Sequence, residues 1–95
     1  IIASADFMTL TILEVAKELN IAIPEQLGVC GYSNEPYTEL TTPAISTVNQ
    51  FSFEMGKTVA NMYFQENKSD EKTSMPKSII INPKLIVRAS SQRNI

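Results

Sequence analysis

The sequence predicts an α/β fold in which a parallel sheet is flanked by helices. Two observations carry this reading. An amphipathic stripe, Met8, Ile12, Val15 and Leu19, repeats by four, three and four residues between two short apolar runs, and a second stripe, Met55, Val59, Met62 and Tyr63, lies downstream. Strand, helix, strand at this length is a βαβ unit, and parallel pairing follows from it.

Taken in order, Ile1 to Ala3 reads as the tail of a buried strand. Asp6 stands where an N-cap belongs, its carboxylate able to accept from the free amides of the next turn. The helix so opened runs to Leu19, with Glu14, Lys17 and Glu18 toward water. Asn20 then falls where a left-handed C′ residue is wanted, and Pro24 prevents continuation. Leu27 to Tyr32 carries too little polarity for a half-exposed strand and fits one covered on both faces. Ser33 to Ala44, with two prolines and several hydroxyl residues, is a long loop at the carboxyl end of that strand, where ligands bind in open α/β sheets.

Ser46 to Val48 is a short extended piece. Ser52 is placed to cap a second helix reaching Glu66, and Gly56 near its start suits close backbone packing. Asn67 to Lys77 reads as a charged, exposed connection. Ser78 to Asn82 and Leu85 to Arg88 are two strand-like runs split by Pro83, a break suited to a crossing between two sheets.

Composition narrows the chemistry. The chain is 43% hydrophobic and 19% charged, ordinary globular usage, and its net charge of −2 comes without a Lys/Arg cluster that could neutralise several phosphates. Cys30 is the only cysteine, so no internal disulfide forms, and its flanks mark it as a buried thiol behaving as a small hydrophobe. There is no histidine, which excludes Ser-His-Asp and Cys-His catalysis from these residues and removes the commonest metal ligand. No apolar run approaches the roughly 18 residues of a membrane span. Asp6 and Glu35 are a weak general acid/base pair, because Asp6 already has a capping role and a loop carboxylate is usually solvated. Gly28, Gly31 and Gly56 match no phosphate-binding spacing. No catalytic residue, metal site or cofactor is expected. The polar cluster Ser33, Asn34 and Glu35, with Asn49 and Gln50 further on, can both donate to and accept from a hydroxylated ligand; the same residues can equally satisfy their own loop backbone.

The runs Leu27 to Asn34, Thr42 to Gln50, Met55-Gly56 and Pro83 to Ser90 resemble, in order and spacing, the C-terminal part of the effector-binding domain of the LacI/GalR family of bacterial transcription regulators. The resemblance covers Ile1 to Ser91. It implies a periplasmic-binding-protein-like fold of two α/β lobes facing across a cleft and joined by crossovers. Ile1 to Thr47 and Leu85 to Ser91 would belong to the C-terminal lobe, Phe51 to Ile81 to the N-terminal lobe, with crossovers near residues 48–50 and 81–84. By the same resemblance the effector, a small metabolite and by default a sugar, contacts Asp6, Ser33, Asn34 and Gln50. The homodimer would form through Leu10, Glu14, Tyr37, Leu40 and Thr41. Two departures stand at the ligand: Ala5 replaces the family's usual Asn, and Ser33 replaces an Asp.

The implied protein is a non-enzymatic, cytoplasmic regulator that meets DNA only through an N-terminal helix-turn-helix outside these residues, and meets no membrane. A sugar-binding protein of a transport system is the first alternative, and a small α/β enzyme domain the second. A chain opening inside an apolar strand, and supplying pieces of two lobes, is further expected not to be a stable free monomer.

Overall fold

The computed structural model describes residues 1–68 and 78–93. Its helices are α1, Asp6–Glu18, and α2, Ser52–Lys68; its named strands are β1, Thr47–Asn49, and β2, Lys84–Ile86; short 3-10 turns lie at Pro36–Glu39 and Ala89–Ser91. Most of the connection expected over 67–77 lies outside the described residues.

The parallel βαβ unit is present, carried by very short segments. Cys30 bridges Ile2 on one side and Ser46 on the other, both in parallel. The Cys30 N–H donates to Ile1 O at 2.9 Å, Ala3 N–H to Cys30 O at 2.8 Å, Gly31 N–H to Ser46 O at 2.8 Å and Ser33 N–H to Val48 O at 3.0 Å. The strand expected over Leu27 to Tyr32 is thus reduced to parallel bridging at Cys30, and it is not covered on both faces. Val29 and Gly31 are buried, while Gly28 and Cys30 are half-buried, because the described residues pack fully against one side only.

α1 ends as its sequence requires. Asn20 takes φ 56°, its N–H donates to Lys17 O at 3.3 Å and the Ile21 N–H to Ala16 O at 2.8 Å, the paired bonds of a Schellman cap. The start of α1 corrects the expected cap. Ala5 is the N-cap and Asp6 the first helical residue, with its carboxylate turned away from the helix amides. The inward face is also corrected. Asp6, Thr9 and Ala16 are the buried positions, whereas Met8, Val15 and Leu19 remain 42%, 44% and 64% exposed. Only the Thr9 and Ala16 side has the 29–31 segment and the 42–43 loop to pack on. The larger apolar stripe lines an open groove of about 760 Å³ together with Ile2, Ile21 and Leu27.

β1 pairs β2 antiparallel, Thr47 opposite Ile86, Val48 opposite Leu85 and Asn49 opposite Lys84, so the two segments expected to cross between sheets run side by side. Ser78 to Asn82 carries no strand, since none of the described residues offers it a partner; Ile79 and Ile80 are exposed. α2 begins at Ser52, one residue after the position that caps it: Phe51, at φ 53°, accepts the first helical bond from the Met55 N–H at 2.9 Å. Its stripe is largely uncovered among the described residues, with Val59 and Tyr63 60% and 62% exposed and only Met62 half-buried. Gly56 has nothing within 4 Å of the place a Cβ would occupy, so the close packing expected there is not made. The radius of gyration is 18.9 Å, against about 12 Å for a compact chain of this length.

After β2 the chain returns to the parallel segments through Ser90, which is fully buried. Its N–H donates to Ala44 O at 2.9 Å and its C=O accepts from Val29 N–H at 3.0 Å. Its hydroxyl accepts from Ser46 N–H at 2.8 Å and donates to Val29 O at 2.6 Å. Ser90 thus stitches the 29–31 and 44–46 segments together. Removing that hydroxyl leaves a buried amide and a buried carbonyl without it, so Ser90→Ala should lower the unfolding free energy of the full-length protein by about 1–3 kcal/mol in urea denaturation. Gly31→Ala should cost about as much, because the added methyl would press into Asp6 Oδ1 and stand 3.3 Å from Asp6 Cα.

Candidate functional site

The carboxyl ends of the parallel segments gather the polar residues. The carboxylate of Asp6, 1% exposed, accepts the Glu35 N–H at 2.7 Å through Oδ2 and the Thr47 hydroxyl at 2.7 Å through Oδ1. The Asp6 N–H donates to Tyr32 O at 3.2 Å. One side chain therefore fastens α1, the 33–35 loop and β1 at a single point. Since both oxygens are engaged, Asp6 is not a free partner for Glu35 in acid/base chemistry, and its partner there is the Glu35 backbone.

The loop it holds has unusual backbone geometry. Ser33 at φ 117° and Asn34 at φ 55° are consecutive non-glycine residues in the left-handed half of conformational space, a costly arrangement that tertiary bonds must enforce. Those bonds are the Ser33 N–H to Val48 O and the Asn34 N–H to Thr47 Oγ1 at 3.1 Å. The side chains of Ser33 and Asn34 are half-buried. Gln50 follows β1 and is half-buried too, lining an open groove of about 670 Å³ along α2 with Ser52, Met55 and Val59. Asn49 spends its side-chain oxygen on the Phe51 N–H at 2.9 Å, holding the entry to α2. Asp6, Ser33 and Asn34 are thus brought together, and Gln50 stands two residues beyond the carbonyl that anchors Ser33.

Behind the loop lies Arg88, which sequence reasoning passed over. Its side chain is 13% exposed. Nη1 donates to Thr38 Oγ1 at 2.7 Å and to Ile45 O at 2.9 Å; Nη2 donates to Asn34 Oδ1 at 3.1 Å and meets Glu39 Oε1 at 3.4 Å. The signal was available. A lone arginine between Val87 and Ala89, in an otherwise apolar run, is a charge that burial forces into partners. Thr38 is fully buried, and its hydroxyl also donates to Glu35 O at 2.7 Å.

The residues expected at a dimer interface differ in exposure. Leu10 and Glu14 are exposed on α1 and Leu40 is 82% exposed, while Tyr37 and Thr41 are half-buried. Glu14 and Lys17 share a groove of about 460 Å³ with Thr42 and Pro43. The Thr41 hydroxyl turns inward, donating to Pro43 O at 3.0 Å.

Cys30 is half-buried rather than buried. Burial, and secondarily the Asp6 carboxylate, raise its thiol above the ordinary range. No cluster of three metal-ligating side chains occurs among the described residues, and no described helix is long and apolar enough to cross a membrane.

A sequence model of the periplasmic binding protein-like domain matches residues 1–91. The chain belongs to that family. Its curated relatives include the HTH-type transcriptional repressor PurR of Escherichia fergusonii, 33% identical over 92 residues that make up 95% of this chain and 26% of the relative. Among solved structures, the Escherichia coli transcriptional repressor ascG superposes with a TM-score of 0.74 at 30% identity, covering 94% of this chain and 32% of that one. The complex of the transcriptional regulator CelR with cellobiose superposes with a TM-score of 0.82 at 27% identity, covering 95% and 27%. The chain therefore spans about a quarter of the length of the curated relatives it matches. The expected α/β, periplasmic-binding-protein-like fold and the likeness to LacI-type regulators hold over nearly its whole length.

Two measurements check this geometry. Asp6→Ala should destabilise the full-length protein by about 2–4 kcal/mol, because it leaves the Glu35 amide and the buried Thr47 hydroxyl without an acceptor; thermal and urea unfolding would read it. Iodoacetamide at pH 8 should alkylate Cys30 several-fold more slowly than free cysteine, since a raised thiol pKa lowers the thiolate fraction, and the rate should still be climbing where free cysteine has levelled off.

Proposed function

We propose that these residues form the effector-binding and dimerisation part of a LacI-type transcriptional regulator that senses a small metabolite, with a sugar as the first candidate. The observation that carries the reading is the loop at Ser33 and Asn34. It is held in costly backbone geometry at the carboxyl edge of a parallel sheet, with hydroxyl and amide side chains half-exposed beside the crossover that leads to Gln50. The cellobiose complex of CelR and the repressors PurR and ascG support it by likeness. They also favour a regulator over a transport protein or an enzyme.

On this reading residues 1–47 and 85–91 lie in one lobe and 51–81 in the other, with crossovers near 48–50 and 81–84 that overlap the paired β1 and β2. Ser33, Asn34 and Gln50 meet the effector. Asp6 acts from behind, by fixing the 33–35 loop. Effector binding shifts lobe closure, and a dimer through Leu10, Glu14, Tyr37, Leu40 and Thr41 carries the change to a DNA-binding domain outside these residues. The setting is the cytoplasm.

Calorimetry of the full-length protein against a panel of aldoses and disaccharides, cellobiose included, tests the site. Ser33→Leu should abolish binding while folding and dimerisation persist, because it puts bulk where a hydrogen-bonding group stood; unchanged affinity would show that Ser33 only shapes the loop. Leu10→Glu with Leu40→Glu should split the dimer in sedimentation velocity by placing like charges across a two-fold contact. An intact dimer in that double variant would remove the interface.

A further inference from the structure

The geometry points to Arg88 as the positioning residue that fixes which end of the Asn34 amide faces the effector, an inference that rests on the cleft reading above. An asparagine side chain has two faces of opposite character, an acceptor oxygen and a donor NH2, and either can point outward unless a neighbour chooses. A guanidinium carries five donors and no acceptor, so the atom of Asn34 that meets Arg88 Nη2 at 3.1 Å is the oxygen. The NH2 is thereby turned to the half-exposed side of the loop. Arg88 cannot relax from this arrangement at low cost, since its other terminal nitrogen is committed to the buried Thr38 hydroxyl and to Ile45 O. An effector meeting position 34 must then offer an acceptor oxygen there, such as a sugar hydroxyl or ring oxygen, and a ligand group that can only donate is rejected because it would leave the amide protons unpaired.

The test converts the amide into a reporter. In Asn34→Asp of the full-length protein, the introduced carboxyl is followed by carbon-13 NMR across acid pH, with Arg88 present and with Arg88→Gln. Near this position, Glu39 meets Arg88, and Asp6 accepts from the amide of Glu35, which follows Asn34. These three acidic residues push the midpoint up, so a downward shift has Arg88 as its source. The expected result is an ionisation constant at least tenfold larger with Arg88 than with glutamine, which is a midpoint lower by about one pH unit. Equal midpoints overturn the proposal. Should Arg88→Gln not fold, exchange of the Arg88 guanidinium protons with water in the wild type and in Asn34→Ala gives the answer: faster exchange in the variant supports the contact, and an unchanged rate overturns it. Failure of the cleft reading would register in the sugar titrations and failure of the clamp in the carboxyl midpoint, so the two are separable.

Discussion

A buried carboxylate that meets no cation among the described residues is the constraint around which the site is built. Asp6 is dehydrated and must be compensated by donors, and the ones it has come from two other parts of the chain, a backbone amide of the 33–35 loop and a hydroxyl of β1. The requirement runs both ways. The buried Thr47 hydroxyl needs an acceptor, and the Glu35 amide takes the same carboxylate, so the helix start, the loop and the strand are held in one relative placement. Gly31 is the corresponding steric condition. Asp6 sits against it so closely that no side chain fits between.

Polar groups do much of the holding elsewhere as well. Among the described residues the buried apolar ones are the small set Ala3, Ala16, Val29 and Ile45, while Asp6, Thr9, Thr38, Ser46, Thr47 and Ser90 are buried beside them. A typical hydrogen bond contributes about 0.5–1.5 kcal/mol net, so six such residues specify geometry more strongly than they add stability. Ser90 and Arg88 illustrate it. Both come from the far end of the sequence, and both bind groups more than 40 positions earlier. The loop that presents Ser33 and Asn34 is complete only after that late segment has returned.

Local patterns in the sequence were legible and non-local ones were not. The strand, helix, strand order and the left-handed Asn20 follow from neighbours within a few residues, whereas the pairing of β1 with β2, 37 positions apart, has no local signal. An aspartate at a helix start reads as a cap because capping is its local use, whereas the actual partners of Asp6 lie 29 and 41 positions away. The stripe of α1 had the right period and the wrong destination. Periodicity shows that Met8, Val15 and Leu19 share a face, but which face packs depends on what the chain places beside it, and here that is Thr9 and Ala16. Of the polar cluster, Ser33 and Asn34 are positioned together as expected. Arg88, which orders them, escaped because a single charge in an apolar run carries no motif.

The exposed stripe of α2 bears on how this helix exists at all. Seventeen residues is near the length at which an isolated helix is marginal in water even with favourable composition, and this one includes Gly56, Thr58 and Val59 in its first half. Its stripe of Met55, Val59 and Tyr63 meets no described residue that could repay the ordering of its backbone. The helicity of residues 52–68 is then conditional: it is secured only to the extent that the stripe is withdrawn from water. Amide protons in this helix would report that burial, exchanging slowly when the stripe is sheltered and rapidly when it is not, whatever the state of the Asp6 knot at the other end of β1.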